Sequence, residues 1–322
     1  DYFMKKNPND SKSLRTRPKE EPELYFGDNE DFDNPVRKSG SRKRKKKSGS
    51  KTVKLAITLL ILILLSVFLF SAYKLYDIYH GYKVAEDTYK DMSEQYVTEN
   101  TPVSPSASTS PDSVPDSAVA PDPSAASVPA STEISPISVN FNDLLQTCSD
   151  VVGWIYGPDT VINYPIVQAN DNQKYLHALM NGSYNANGTI FTDYRNNRDF
   201  SSRVTFIYGH HMNDGSMFAS ICNYSSSDYM AKHPYMYLNT PTQNYRIEIF
   251  SGFVTTADSS AYTFYFDNDD ALEAYAAKMK AFSDIPTNVA VHGNDRIVVL
   301  STCTYEYDNA RYVVFGKLVP IN

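Results

Sequence analysis

The sequence predicts a mainly β globular domain, a barrel or sandwich with helical decorations, set behind one membrane-spanning helix. Three observations carry that expectation. Six runs rich in Val, Ile, Tyr and Phe and bounded by Gly, Pro, Asn and Asp read as strands, over residues 151–156, 162–167, 204–208, 245–255, 296–301 and 312–319. One stretch, residues 55–73, carries no charge and is long enough to cross a bilayer. The charge is also divided. Residues 1–54 hold 16 Lys and Arg against 9 Asp and Glu, whereas the 322-residue chain as a whole has a formal charge of −7. A basic end and an acidic body point to two environments.

The overall balance excludes a strongly basic nucleic-acid binder. With 42% apolar and 13% aromatic residues the chain is not disordered throughout, and three cysteines are too few for a disulfide-dense scaffold. Residues 1–54 lack apolar periodicity and cannot bury enough surface to offset their ordering entropy, so they read as a disordered tail. The run Arg42, Lys43, Arg44, Lys45, Lys46, Lys47 taken alone would suit nucleic acid or nuclear import. Its place just before an apolar span makes it a topological charge block instead. The span, 55–73, is apolar all round apart from Thr58, Ser66 and Ser71, and as a helix it covers roughly 28 Å. The positive-inside rule places the tail in the cytoplasm, and Tyr73, Tyr76 and Tyr79 suit the outer interface. A leader of about 50 residues with no small-residue cleavage site argues for an uncleaved anchor over a signal peptide. The chain opens on Asp1, which leaves its true start open, upstream or at Met4.

Residues 74–136 read as an extracellular stalk and linker. A short polar helix is expected over 80–99, followed by a semi-extended Pro, Ser and Ala-rich spacer. Residues 137–322 hold the single Trp154 and all three cysteines and have the size of one domain. Helices are expected over 141–149 and 270–282, the latter with Leu272, Tyr275, Met279 and Phe282 on one face and Asp269 or Asp270 as N-cap. Shorter helices are expected at 175–180 and 216–220.

The chemistry narrows to a few side chains. Cys148 and Cys222 lie in apolar surroundings and read as small buried hydrophobes. Cys303 ends the strand containing Ile297-Val298-Val299-Leu300 and opens into a polar turn, a position that suits a nucleophile. A cysteine nucleophile needs a base or imidazolium nearby. Of six histidines, His210 and His211 follow Gly209 at a strand end. Alternation along a strand would aim only one of them at a given site and leave the other to solvent. Centring the last hairpin on Tyr307 sets Arg311 opposite Cys303, where a cation could stabilise an oxyanion. Metal-ligand spacings, an HExxH motif and nucleotide-binding glycine motifs are absent.

These residues resemble the class B sortases. Leu300-Ser301-Thr302-Cys303 is similar to the family's TLxTC signature, with Val299 where Thr is usual. Residues 208–218, Tyr-Gly-His-His-Met-Asn-Asp-Gly-Ser-Met-Phe, resemble the YGHxMxDGxMF block and assign the family's histidine to His210. Asp308-Asn309-Ala310-Arg311 resembles the catalytic-arginine hairpin. The segments around Trp154, Tyr164-Pro165, Tyr175-Leu176-His177 and residues 188–195 match as well. The resemblance implies an eight-stranded β-barrel and a membrane-anchored cysteine transpeptidase of a Gram-positive surface, working without metal or organic cofactor. It implies that the Cys303 thiolate attacks a C-terminal sorting motif, that His210 protonates the leaving amine, and that Arg311 stabilises the oxyanion. Ser301 and Thr302 would contact the sorting peptide. The implied partners are surface proteins bearing the motif, a peptidoglycan precursor amine, and the membrane through one helix; nucleic acid is not among them. Class B enzymes often favour an Asn-Pro-x-Thr-Asn-like pentapeptide. Three alternatives stay open: a pilin-polymerising enzyme with a lysine acceptor, a cysteine hydrolase, and a non-catalytic tethered binding module.

Overall fold

The computed structural model describes residues 51–100, 133–304 and 306–322; the expected disordered tail before residue 51 and most of the Pro, Ser and Ala-rich linker lie outside them. The chain divides into two compact units, residues 1–60 and 61–322. In the first, the described residues form the opening turns of helix α1 (Lys51–Tyr96). Everything below belongs to the second.

Helix α1 continues through residues 61–96 without a break. No Pro interrupts it and Gly81 is its single glycine. Its apolar side chains up to Tyr79 stand exposed, as a lipid-facing surface requires, and α1 is the one described helix long and apolar enough to cross a membrane. Farther along, Ala85, Tyr89 and Tyr96 are buried. They recur at helical spacing, so one stripe faces the domain while the charged residues between them face water. Tyr89 packs edge-on against Tyr164 at 5.3 Å and donates its hydroxyl hydrogen to the carbonyl of Gly188. The Asn163 amide reaches Ser93 Oγ at 2.8 Å. The polar helix expected at 80–99 is therefore the docked end of the anchor helix.

Strand β1 (Val97–Glu99) follows at once and pairs antiparallel with β2 (Ile137–Val139). Asn100 also bonds through its N–H to Pro136 O and through its side chain to Ser135 O, both at 2.8 Å. The two ends of the segment between them are thus tied together.

Eight further strands close the expected barrel: β3 (Val151–Tyr156), β4 (Asn163–Val167), β5 (Phe191–Thr192), β6 (Val204–Tyr208), β7 (Tyr235–Asn239), β8 (Asn244–Thr256), β9 (Arg296–Cys303) and β10 (Ala310–Ile321). Their order is β10-β8-β7-β3-β4-β5-β6-β9, closing on β10. Six match the predicted runs. Strand β5 has two residues, too few for a pattern to register. Strand β7 did carry a signal, alternating Tyr235-Met236-Tyr237-Leu238 between Pro234 and Pro241.

Alternation divides each strand between two cores. Val298, Leu300, Val314 and Leu318 join Ile155, Ile166, Ile207, Leu238 and Ile247 inside the barrel. Ile297, Val299, Val313 and Phe315 point outward. Over them lies α4 (Asp269–Ala281), in the connection from β8 to β9, with Leu272, Tyr275, Ala276 and Met279 buried. Its N-cap is Asn268, one residue before the expected aspartates, accepting from Ala271 N–H at 2.8 Å. Phe282, expected on the buried face, is the C-cap residue and stays exposed. Helix α2 (Phe141–Thr147) starts where predicted and ends two residues sooner. The segments expected as helices at 175–180 and 216–220 are 3-10 turns at Lys174–Leu176 and Ala219–Ser225. A short helix, α3 (Ser227–Lys232), follows the second.

The docking of α1 is open to test. Replacing Tyr89 with Ala removes a buried ring and its hydroxyl bond, a loss of about 3–5 kcal/mol for such truncations. Hydrogen exchange of the full chain in detergent should show residues 82–96 losing protection while β9 and β10 keep theirs. Unchanged protection in α1 would refute the docking.

Candidate active site

Three strand ends meet at one rim of the barrel. Strands β6 and β9 run parallel, with Tyr208 beside Ser301, and Gly209 N–H donates to Ser301 O at 3.1 Å. Two residues on, the same register carries His210 to the level of Cys303. Gly209 is needed at the bend, because a Cβ there would stand 2.5 Å from Ile190 Cδ1 and 2.7 Å from Phe218 Cγ. On the other side β10 runs antiparallel to β9 with Arg311 opposite Cys303, the pairing that centring the hairpin on Tyr307 predicts. Thr304 N–H bonds Ala310 O at 3.2 Å, so the adjacent 303–311 pair is the non-hydrogen-bonded kind, in which side chains lie closest. Cys303 and Arg311 share the outward face with Ser301 and Val313.

A cleft of about 470 Å³ opens on that face, lined by Cys303, His210 and Arg311 together with Ser301, Thr302, Tyr208, Leu176, Asn172 and Arg195. Residues 257–259 and Tyr262 and Phe264, from the connection leaving β8, form its far wall. The Cys303 and Arg311 side chains are half-buried. Arg311 Nη1 donates to the carbonyl of its neighbour Ala310 at 2.9 Å.

His210 lies 2.6 Å from Leu176 O through Nε2, and since a carbonyl only accepts, Nε2 carries the hydrogen. Its ring stacks on exposed His177, with centroids 5.4 Å apart and planes inclined by 21°. Burial is the main cause holding its pKa below the usual histidine value; the Leu176 carbonyl opposes this, and the charge that His177 can carry adds to it.

Beside the histidine lies an ionic wall. Asp193 is fully buried and takes a two-pronged bond from Arg195, with Nε at 2.8 Å and Nη2 at 2.7 Å. Tyr208 Oη and the Asn172 amide also donate to it, at 3.0 and 2.9 Å. Burial pushes the carboxyl upward, but these donors outweigh it and hold Asp193 below its ordinary value. The Arg195 guanidinium rests 3.7 Å above the Phe264 ring. No role was assigned to Arg195 from sequence, although it stands in a segment that matched; the Asp-x-Arg spacing was its visible signal.

The two expected peptide contacts differ. Ser301 lies on the cleft face, with its hydroxyl 2.7 Å from Tyr262 Oη. Thr302 lies on the opposite face of the strand, its Oγ1 buried without a hydrogen-bond partner among the described residues, so it offers the cleft its main chain. His211, expected in solvent, is half-buried instead, with Nδ1 2.9 Å from Cys303 O and 3.5 Å from Cys222 Sγ. The alternation rule does not extend to it, because β6 ends at Tyr208. Cys148 is buried as expected, 3.7 Å from Tyr175 Oη. Among the described residues no group of three or more His, Cys, Asp or Glu side chains could hold a metal ion.

Comparison with known proteins agrees with this geometry. The sortase domain family matches residues 155–319. Sortase B of Listeria monocytogenes is 41% identical over 181 residues, 56% of this chain and 74% of that protein. Sortase B of Staphylococcus aureus is 31% identical over 184 residues, 56% of this chain and 75% of its own. Among solved structures, Bacillus anthracis sortase B in complex with AAEK1 superposes with a TM-score of 0.52 at 38% identity, over 56% of this chain and 84% of that one. The Staphylococcus aureus sortase B–substrate complex superposes with a TM-score of 0.54 at 31% identity, over 56% and 85%. A closed eight-stranded barrel whose rim gathers a cysteine, a histidine and an arginine, matched by relatives over most of their length, makes this chain a member of the sortase family, class B, and a cysteine transpeptidase.

Proposed function

We propose that this transpeptidase cleaves a C-terminal sorting motif of surface proteins and transfers them to a peptidoglycan amine, with Cys303 as nucleophile, His210 as acid and base, and Arg311 as oxyanion partner. The observation that carries the reading is the meeting of these three side chains in one cleft, Cys303 and Arg311 as a directly opposed pair. The Cys303 thiolate adds to the scissile carbonyl, and Arg311 offsets the oxyanion charge in a site partly shielded from water. The oxyanion collapses, the C–N bond breaks, and the His210 imidazolium gives its proton to the departing amine. A thioacyl enzyme remains. An incoming amine, deprotonated by His210, then attacks the thioester and frees the thiolate. The Leu176 carbonyl fixes the ring that moves these protons. Ser301 contacts the sorting peptide on the cleft face, and Thr302 through its backbone.

The proposed organisation assigns residues 1–54 to a cytoplasmic tail, 55–73 to the membrane span, 74–136 to the extracellular stalk and linker, and 137–322 to an extracellular catalytic domain. The long apolar helix supports a single anchor. The basic flank before it supports the inward N-terminus.

In a peptide-library assay with the full chain in detergent, wild type should form a thioacyl adduct and, with added amine, an amide product. Cys303→Ala should form neither, and a fully active Cys303→Ala enzyme would sink the reading. Cleavage with no amine adduct at any amine concentration would make the protein a hydrolase, and mass spectrometry of the linkage separates a cell-wall amine from a pilin lysine. Arg311→Ala should lower kcat by about 10²–10³, as for loss of one oxyanion donor, with Arg311→Lys recovering part of it.

A third outcome concerns the acid. Because the charge of His177 helps to hold His210 below its usual pKa, His177→Ala should move the His210 titration upward. A higher pKa keeps the imidazolium to higher pH, so the alkaline limb of kcat should move the same way. Imidazole C–H resonances of histidine-labelled protein read the shift directly, and a downward shift would contradict it.

A further inference from the structure

The hydrogen-bond ladder between β6 and β9 stops one rung short of the nucleophile. Gly209 N–H bonds Ser301 O, and in a parallel pair the next carbonyl of β9 facing β6 is that of Cys303. Its regular donor would be the main-chain N–H of residue 211. The chain has already turned away by then, at a glycine hemmed in by Ile190 and Phe218. The His211 side chain fills the gap, with Nδ1 2.9 Å from Cys303 O. A carbonyl can only accept, so Nδ1 carries the hydrogen and donates it. The Cys222 thiol lies 3.5 Å from the same nitrogen. Burial pushes that thiol up to about 11, so it stays neutral and does not compete as a nucleophile. On the far edge of β9, Thr304 N–H is held by Ala310 O at 3.2 Å. The peptide unit joining residues 303 and 304 is therefore pinned at both ends, its carbonyl by an imidazole and its N–H by the ladder of β10.

We infer that His211 is a positioning residue of the transpeptidase: its imidazole replaces the missing rung of the β6–β9 ladder and fixes the backbone of Cys303, and so the direction of the thiol relative to His210 and Arg311. The inference rests on the reading of Cys303 as nucleophile. Cys303 is the last residue of its strand. Without the bond at its carbonyl the 303–304 peptide is held at its N–H alone and can tilt about that tether, and a misplacement of about 1 Å at the reacting atom is enough to cost up to 10² in rate. The bond is made to the enzyme's own backbone, in the free enzyme and the Michaelis complex alike, so its loss acts on the chemical step and leaves substrate binding in place.

The test uses the full chain in detergent and the probe peptide Asn-Pro-Ala-Thr-Asn with a fluorophore and quencher at its ends. Four proteins are compared: wild type, Cys303→Ala, His211→Phe and His211→Asn. Phenylalanine keeps a ring and has no donor; asparagine loses the ring and keeps an N–H at the position of Nδ1. His211→Phe should lower kcat about tenfold, on the scale of one hydrogen bond, with KM within twofold of wild type. His211→Asn should recover most of that loss. Wild-type kcat in His211→Phe overturns the inference, as does equal impairment of the two variants, or a loss expressed in KM alone. An active Cys303→Ala overturns the underlying reading instead, and the two failures are thus told apart. Should His211→Phe not fold, a His211→Asn enzyme slower than wild type by more than threefold counts against the inference, and one near wild type supports it.

Discussion

The site depends on one constraint, the parallel pairing of β6 with β9 at Tyr208 and Ser301. An antiparallel pair can be joined by a tight turn, but a parallel pair needs a long crossover. Here that crossover contains β7, β8 and α4, so making the pair also builds much of the barrel and the wall above the cleft. Because the two strands run the same way, their C-terminal ends come out side by side. Just beyond the β6 end, after Gly209, come the two histidines, and the last residue of β9 is Cys303. Strand β10 returns antiparallel and brings Arg311 at its beginning. His210, distant in sequence, thus joins Cys303 and Arg311 within a few residues of three strand ends, where main-chain hydrogen bonding limits their movement.

The surroundings then set the chemistry available. A carboxylate as deeply buried as Asp193 is stable only when its charge is met, and Arg195, Tyr208 and Asn172 meet it. Those three side chains also line the cleft, so the demand of one buried charge orients much of its wall. Arg195 is thereby largely committed, through its bond to Asp193 and its place on Phe264, whereas Arg311 donates, among the described residues, to its neighbour's carbonyl. Among the described residues His210 has no carboxylate partner. It has desolvation, a carbonyl and a second imidazole, a setting in which burial outweighs the carbonyl and favours the neutral ring.

What the sequence made legible was local or symmetric. The pairing of Cys303 with Arg311 follows from hairpin symmetry about Tyr307, and the strand runs from β-branched and aromatic residues between turn formers. Helix α4 followed from a 3.6-residue period. The role of His211 was hidden because it depends on where β6 stops, and that is decided by the packing of Ile190 and Phe218 around Gly209, not by any local pattern. The hydroxyl contact of Ser301 with Tyr262 joins two segments whose approach only the crossover determines. The docked part of α1 was different. Ala85, Tyr89, Met92 and Tyr96 lie at i, i+4, i+7 and i+11, a visible apolar stripe, but their polar neighbours gave the impression of a free stalk.

That stripe alters how anchor and enzyme relate. A flexible spacer would let the domain range over a distance growing roughly as the square root of its length. Here residues 61–96 are one helix, its later turns held on the barrel by Tyr89 and Asn163 and its end clamped by the β1–β2 pair. A helix has no soft joint unless Pro, a Gly-Ser pair or a bulge supplies one, and Gly81 is the only weak point in this stretch, its carbonyl already taken by the Asn185 amide. Asn100 and Ser135 are bonded to each other beside that pair. Because each residue turns a helix by about 100°, inserting or deleting a residue between Tyr79 and Ala85 would rotate the stripe of Ala85, Tyr89 and Tyr96 away from the barrel face that buries it.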